Sequence, residues 1–394
     1  MRIDDLDLTT PALIADPYPI LAELRAQAPM AWHERSGMFL AFGYHAANAV
    51  LRDRRAGRLW RDRQPAERFE PFNALHRHQM MENEPPEHTR LRALVAKAFA
   101  RGHVERLRPR VTEMAGELLD QVDGSAGFDL LAEYAGPLPV MVIAELLGVP
   151  PEDWDLLRPW SNAIVKMYEY HRTVALEDRA VTAAIEFADY VRVLAKTRRE
   201  HPKNDLISHL AAIEDGGTRL SEDELVASAI LLLNAGHEAS VNVLGNGMVA
   251  LLDHPAERDR LVAEPELAAP AVEEMIRYDA PLHLFERTAT TDLVIAGVPV
   301  AAGQKMAALL GSANRDPAVF TEPDRFDTGR DPNPHLGFGA GIHFCLGAPL
   351  ARVELQAAVT TLLRRFPQLE LEERPEVRPT FVLRGYQAVR VRAG

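Results

Sequence analysis

Apolar residues recur at the three- and four-residue spacing of an α-helix through most of the chain before Pro281. The periodicity predicts helices at 17–28, 46–51, 87–100, 104–122, 138–147, 153–167, 176–199 and 265–278, with one more at 348–363. The segment 59–83 has no clean period and is rich in Arg, Pro and His, so it is predicted to be a loop.

The longest predicted helix covers 221–253. Ser221 and Glu224 have the spacing of a capping box at its start, and Pro255 ends it. At 1.5 Å per residue it is about 48 Å long, enough to cross the molecule. The run 245–250 matches a glycine-rich dinucleotide pattern, but no strand precedes it, so we interpret it as part of the helix.

Short apolar runs predict a smaller β portion. The runs 31–33 and 38–41 flank Ser36-Gly37, which predicts a β-hairpin. Further β-like runs follow Pro281 at 293–295, 381–383 and 388–391. The predicted fold class is therefore mainly α with a smaller β portion, in one domain spanning 1–394.

Composition and charge narrow the class of protein. Hydrophobic residues make up 47% and charged residues 26% of the chain, as in a globular protein. The net charge of −13 argues against a nucleic-acid binder. Arginines are dense at 90–110, where a solvated helix surface is the preferred interpretation and a partner-binding face the alternative.

Cysteine usage and the chain start indicate the compartment. A single cysteine excludes an intrachain disulfide and fits a reducing environment. The acidic run 1–7 has no secretory signal. The longest apolar stretch, ending at 229–233, is far below the roughly 18 residues that span a bilayer. We therefore expect a cytoplasmic protein without a membrane segment.

That cysteine, Cys345, follows a glycine-rich run and precedes a predicted helix. Glycines permit close backbone approaches, and a helix N-terminus favours a thiolate. A lone protein thiolate suits the proximal position of a haem iron. The ordinary alternative is a small buried apolar residue.

The run 338–347 has the form Phe-Gly-x-Gly-x-His-x-Cys-x-Gly, and Ala351-Arg352 follows it. This resembles the haem-binding signature of the cytochrome P450 family. The resemblance implies a triangular, mostly α fold with the long helix over haem b (iron protoporphyrin IX). It makes Cys345 the iron ligand, places Phe338 beside the sulfur and His343 at a haem propionate, and includes Gly339 and Gly347 in the cofactor loop.

Further residues take roles through the same resemblance. His88 and Arg92, spaced i and i+4, and Arg287 are expected to meet the propionates. Glu274 and Arg277 resemble the family's Glu-x-x-Arg pair. The resemblance joins this pair to Arg325 of a Pro-x-Arg-Phe segment, in a buried charge network.

The centre of the long helix is expected to form the oxygen side of the haem, with Ala235 and Gly236 against the cofactor. Glu238 retains the family's acid, but Ala239 replaces its usual threonine and Ser240 follows. Either a substrate hydroxyl orders the proton-donating water, or Ser240 substitutes, or oxygen activation is inefficient; we favour the first. The expected substrate pocket includes Leu232, Leu282, His283, Phe285 and Val382.

The implied activity is a monooxygenase acting on a mid-sized secondary metabolite, such as a macrolide or other polyketide. Electrons are expected from a ferredoxin and its NAD(P)H-dependent reductase, because no flavin or nicotinamide domain is visible. Two alternatives are a catalytically silent homologue that activates another biosynthetic enzyme and a haem-thiolate sensor. A peroxide-driven enzyme is a variant of the main hypothesis.

Overall fold

The computed structural model describes residues 2–96, 99–169, 172–215 and 218–393, and most of them lie in helices. The α helices are α1 Pro11–Ala15, α2 Tyr18–Gln27, α3 Tyr44–Arg52, α4 Ala66–Arg77, α5 Glu87–Ala96, α6 Arg101–Val104, α7 Arg108–Leu119, α8 Pro137–Leu147, α9 Trp154–Val165, α10 Val174–Glu200, α11 Leu206–Ala212, α12 Glu222–Leu252, α13 Pro255–Ala263, α14 Ala268–Tyr278, α15 Leu310–Ala313 and α16 Ala348–Arg365. No helix within the described ranges has both the length and the apolar character needed to cross a membrane.

Most predicted helices are present, with shifted ends. α7 begins at Arg108 rather than at 104, because Pro109 occupies its first turn, where a missing N–H costs nothing. α14 begins at Ala268, after a 3-10 turn at Pro265–Leu267. The helix predicted at 87–100 is α5 as far as Ala96, and residues 97 and 98 lie outside the described residues.

The predicted loop at 59–83 is wrong, because α4 lies within it. Phe69, Phe72 and Leu75 are spaced three apart and are buried, so the helix has an apolar face. Pro71 lies inside the helix and obscures this spacing in the sequence. Packing of α4 against α10 and α12 stabilises it despite the proline.

The strands form one larger sheet and several small ones. They are β1 Met30–His33, β2 Met38–Ala41, β3 Ala56–Gly57, β4 Phe128–Asp129, β5 Glu214–Asp215, β6 Thr218–Arg219, β7 Leu284–Ala289, β8 Leu293–Ile295, β9 Val298–Val300, β10 Lys305–Leu309, β11 Leu369–Leu371 and β12 Arg390–Ala393. The five-stranded sheet has the order β1-β2-β10-β7-β3, and the three-stranded sheet the order β11-β12-β4.

The β predictions have mixed outcomes. The hairpin is confirmed, since β1 and β2 pair antiparallel with His33 opposite Met38. The run 293–295 is strand β8. The predicted strand at 381–383 is wrong, because only Leu383 forms an isolated bridge, and the run 388–391 contributes only its end to β12.

The long helix is confirmed as α12, with 31 residues. The Glu224 N–H donates to the Ser221 hydroxyl (3.2 Å), and the Ser221 N–H donates to the Glu224 carboxylate (2.8 Å), which is the expected capping box. α12 packs against α4, α8, α9, α10, α14 and α16, so it forms the axis of the main core. The run 245–250 lies inside it, as interpreted from the sequence.

Glycine in that run allows close helix packing. A Cβ built on Gly247 would lie 2.6 Å from the Cβ of Met275 on α14. Real Cβ atoms do not approach so closely, and a Cβ cannot move without moving the backbone. The contact between α12 and α14 therefore depends on glycine at this position.

We expect Gly247→Ala to lower the free energy of unfolding by about 1–3 kcal/mol through overpacking. Gly116→Ala in α7 is the matched control, because a Cβ there meets nothing within 4 Å. That variant should gain up to about 1 kcal/mol from helix propensity. Denaturant unfolding of both variants checks the prediction. An equal rise in the free energy of unfolding in the two variants would contradict it.

Candidate functional site

A tight loop presents Cys345 at the start of α16. Gly339 and Gly341 have φ angles of +69° and +72°, in the left-handed region that favours glycine. A Cβ on Gly341 would also collide with the carbonyl oxygen of Leu51. The Cys345 N–H donates to the carbonyl of Phe338 (2.9 Å), which closes the loop and fixes where the thiol begins.

Two opposing effects act on the pKa of the Cys345 thiol. Burial raises the pKa of Cys345 above its ordinary value, while the backbone N–H groups of Gly347 and Ala348 and the charges of Arg92 and Arg352 lower it. The helix N-terminus therefore acts in the expected direction, but burial outweighs it. A bound metal cation reverses this balance, because a coordinating thiol loses its proton.

The ring of Phe338 is held by an ion pair that the sequence reading did not identify. The Arg352 guanidinium lies over the ring, 4.6 Å from its centroid, and donates to Glu273 (2.6 and 2.8 Å). His335 lies 3.0 Å from the same carboxylate. Burial raises the pKa of Glu273, but hydrogen bonds from Arg352 and His335 outweigh it and lower the pKa to about 2. The cysteine loop is thus anchored to α14.

The neighbouring residue on α14 forms a fully buried charge network. Glu274 and Arg277 are 0% exposed, and their side chains form two hydrogen bonds of 2.7 and 2.8 Å. Asn333 also donates to the Glu274 carboxylate (3.2 Å). The predicted pairing of Glu274 with Arg277 is therefore present in the structure.

The prediction that the side chain of Arg325 joins the Glu274–Arg277 pair is wrong. The side chain of Arg325 is 56% exposed and pairs with Glu322, and only its carbonyl oxygen accepts from Arg277 (3.1 Å). Arg330 reaches Glu274 instead, with its Nε 3.0 and 3.1 Å from the two carboxylate oxygens. A second arginine five residues along the same loop thus supplies the missing cation.

Arg287 has the features of an anion-binding group. It lies on β7, is 3% exposed, and donates to the carbonyl of Glu286 (2.8 Å). Its Nε is buried and has no hydrogen-bond partner among the described residues. Burial and the nearby Arg58 lower its pKa to about 9. An unpaired buried guanidinium is costly, so a carboxylate ligand such as a haem propionate fits here.

The other residues assigned to the propionates are engaged with the protein. His88 has its ring nitrogens 2.8 and 3.1 Å from the carbonyl oxygens of Met80 and Ile342. Carbonyls only accept, and the neutral ring has a single N–H, so it bonds one carbonyl at a time. His88 thus joins α5 to the cysteine loop. The propionate role of His88 stays a prediction. Arg92 donates to the carbonyl of Phe344 (2.7 Å), and its remaining N–H groups can still bind an anion.

The centre of α12 contains an accessible strip within an otherwise buried helix. Ala235 is exposed, Gly236 and Ala239 are half-buried, and a Cβ on Gly236 would meet only the side chain of Ile143, at 3.8 Å or more. Leu232, one turn earlier, is buried. The strip is open enough for a ligand to reach it, and the predicted haem contact of Ala235 and Gly236 stays a prediction.

Glu238 has partners that sequence reasoning missed. Arg378 and Asn242 donate to its carboxylate over 3.4 and 3.5 Å. Glu169 lies close enough for the Glu238 charge to act on it. Burial first, and then Glu238, raise the pKa of Glu169 to about 7, against a Leu383 N–H that lowers it. These groups come from segments far apart in the chain, so spacing gives no signal for them.

Ser240 does not share the face of Ala239. It is buried, and its hydroxyl bonds the carboxyl of Glu354 on α16. Burial raises the pKa of Glu354 to about 8. A neutral carboxyl and a serine therefore satisfy each other between α12 and α16.

The residues predicted to line the pocket fall into two groups. Leu282, Phe285 and Val382 are half-buried, and Phe285 lies beside Gly339 of the cysteine loop. The structure corrects the prediction that His283 lines the pocket, since this residue is 1% exposed and its ring packs against Tyr18 and Phe381. It is a core residue and not a polar pocket group.

Comparisons with known proteins agree with this arrangement. Residues 177–384 match the family model for cytochrome P450. Cytochrome P450 monooxygenase PikC of Streptomyces venezuelae is 41% identical over 390 residues, which cover 96% of this chain and 91% of that protein. The polyketide biosynthesis cytochrome P450 PksS of Bacillus subtilis (strain 168) is 38% identical over 391 residues, 95% of each protein. The crystal structure of P450BioI in complex with an acyl carrier protein ligated to hexadec-9Z-enoic acid has a TM-score of 0.93 and 34% identity, and covers 97% of this chain and 99% of that chain.

The fold and site therefore define a haem-thiolate protein, and the chain belongs to the cytochrome P450 family. It is a P450 monooxygenase of the secondary-metabolite type, with haem as its cofactor. The expected fold class is confirmed at the same time.

The corrected charge network gives a direct test. We expect Arg330→Ala to lower the free energy of unfolding by about 3–5 kcal/mol, because it leaves the buried Glu274 short of one cation. Arg325→Ala is the control, since it removes an exposed side chain and retains the carbonyl, and it should cost less than about 0.5 kcal/mol. Urea unfolding of the two variants decides, and a larger cost at Arg325 would reverse the assignment.

Proposed function

We propose that this chain inserts one atom of dioxygen into a C–H or C=C bond of a mid-sized secondary metabolite, with Cys345 as the haem ligand. The observation that carries the proposal is the pairing of two features. The single cysteine is held by a closed loop at a helix N-terminus, and the accessible strip at Ala235 and Gly236 interrupts the most buried helix.

The chain offers groups of the right chemistry for each part of the cofactor. Cys345 would hold the iron, and Arg287, with its unpartnered Nε, and Arg92 would meet the propionates. Haem, when bound, supplies the activation of dioxygen, in which one oxygen atom enters the substrate and the other leaves as water. The balance requires two electrons and two protons, which the protein has to deliver.

Glu238 is the proposed proton relay, and its carboxylate pairs with Arg378, whose side chain is 32% exposed. Ala239 supplies no hydroxyl, and the Ser240 hydroxyl is bonded to Glu354. We therefore retain the first of the three possibilities considered from the sequence. A hydroxyl of the substrate orders the water that carries the proton.

A polyketide or macrolide substrate is favoured by two observations. The sequence of α12 contains the Ala239-Ser240 pair, and a relative with a polyketide biosynthesis role is 38% identical over nearly the whole chain. Leu282, Phe285 and Val382 offer the apolar lining that such a molecule needs.

We propose that a ferredoxin, reduced by an NAD(P)H-dependent reductase, delivers the electrons near the cysteine loop. Phe344, next to Cys345, is 40% exposed and lies beside Arg92, which gives an apolar and cationic docking point. The neighbouring arginines of the 90–110 region are mostly neutralised, since Arg90, Arg108 and Arg110 each pair with glutamates.

The absorption spectrum of the dithionite-reduced protein under carbon monoxide tests the proposal first. We expect the strongly red-shifted Soret band of a haem with an intact thiolate ligand, and its loss in Cys345→Ala. Haem without that shift favours a sensor or damaged protein. Failure to bind haem would overturn the enzyme proposal and favour the silent homologue that activates another enzyme.

The proton-delivery proposal predicts a substrate-dependent effect of Ala239→Thr. With a substrate that lacks a hydroxyl near the oxidised carbon, the added threonine should raise the product formed per NAD(P)H consumed. With a hydroxyl-bearing substrate the ratio should change little. Ser240→Ala is the matched control and should leave the ratio unchanged with both. Unchanged coupling in Ala239→Thr with the hydroxyl-free substrate as well as with the hydroxyl-bearing one would count against this role of the substrate.

A further inference from the structure

A glutamate outside the P450 signature loop contacts that loop directly. Glu84 lies just before α5, and its carboxylate oxygen accepts from His343 Nε2 (2.8 Å) and from the backbone N–H of Arg58 (2.6 Å). His343 precedes Cys345 by two residues, whereas Glu84 is 259 residues away in sequence. One carboxylate thus ties the segment before α5 to the loop that carries the thiol.

The contact is enclosed on both sides. The side chains of Glu84 and His343 are 18% and 7% exposed. The ring of His88 packs edge-on against the ring of His343, with centroids 4.3 Å apart, and His88 itself bonds the carbonyl of Ile342. Glu84 and His88 therefore hold the same part of the cysteine loop from two directions.

The carboxylate of Glu84 lies close enough to Arg287 for its charge to act on that guanidinium. Burial raises the pKa of Glu84, but the hydrogen bonds from His343 and the Arg58 backbone outweigh it, and the net shift is downward. Arg58 donates to Glu82 (2.9 Å), and both carboxylates act on Arg287. The carboxylates of Glu82 and Glu84 thus lie together with the guanidiniums of Arg58 and Arg287, where the propionates are proposed to bind.

We propose that Glu84 is a positioning residue of the haem site, with two effects. Its hydrogen bond fixes His343 and so the cysteine loop, which slows haem loss. Its negative charge favours the ferric over the ferrous state, because the ferric iron carries one more positive charge. The proposal rests on the haem-thiolate function proposed above and assigns to it a residue outside the signature loop.

Two substitutions separate these effects. Glu84→Gln keeps an oxygen that accepts from His343 and Arg58 but removes the charge, whereas Glu84→Ala removes both. Glu87→Gln is the matched control, since Glu87 lies three residues further on, is exposed and pairs with Arg90. All three are measured as haem-loaded full-length protein.

The readouts are haem transfer to apomyoglobin and the midpoint reduction potential from spectroelectrochemical titration. We expect Glu84→Ala to speed haem transfer about tenfold or more, as for the loss of a hydrogen bond to a charged group. Glu84→Gln should stay within about fivefold of the parent in transfer, and below Glu84→Ala, because it keeps a neutral hydrogen bond in place of the charged one. Both variants should have a more positive potential than the parent, and Glu87→Gln should match the parent in both.

Three results would overturn the proposal. They are parent-like transfer in Glu84→Ala, a parent-like potential in Glu84→Gln, and equal shifts in Glu87→Gln. If Glu84→Ala cannot be loaded with haem, the reduction potential and the haem-transfer rate of Glu84→Gln decide the test. Neither measurement requires turnover, so an inactive parent that binds haem would refute the proposed reaction without touching the role of Glu84.

Discussion

The arrangement of the haem side depends on one buried interaction, the contact of the Glu274 carboxylate with Arg277 and Arg330. Glu274 and Arg277 are fully buried and Arg330 is 10% exposed, and a carboxylate in that position is tolerated only when its oxygens are fully paired. The pairing pins the chain around Arg325 and Arg330 to α14. The adjacent Glu273 then reaches Arg352, beyond the cysteine. One turn of helix therefore anchors the signature loop on both sides.

Local rules account for the parts that were predictable. The capping box at Ser221 and the hairpin around Gly37 follow from neighbouring residues, so both could be read from the sequence. The glycine-rich run before Cys345 was also informative, because positive φ angles and a backbone collision at Gly341 leave few substitutes. In each case the constraint and the residues that satisfy it lie within a few positions of one another.

The missed features depend on contacts between distant segments. Spacing could not tell that Arg330, rather than Arg325, turns inward, because both follow the same proline-containing run and only folding selects the side chain. The helix α4 was missed because tertiary packing outweighs Pro71. Ser240 was considered a possible substitute for the threonine, but its partner Glu354 lies more than a hundred residues later.

The electrostatics of the site explain why one kind of ligand fits it. Burial shifts Cys345 toward the neutral thiol and lowers the pKa of Arg287 to about 9, so both groups are disfavoured in their charged forms. A cation at the sulfur and an anion at the guanidinium remove these opposite penalties. A planar ligand with a metal centre and a carboxylate edge supplies both charges at once. In the fold without haem, burial therefore penalises the charged forms of Cys345 and Arg287. Haem binding relieves both penalties, and this relief contributes to the affinity for haem.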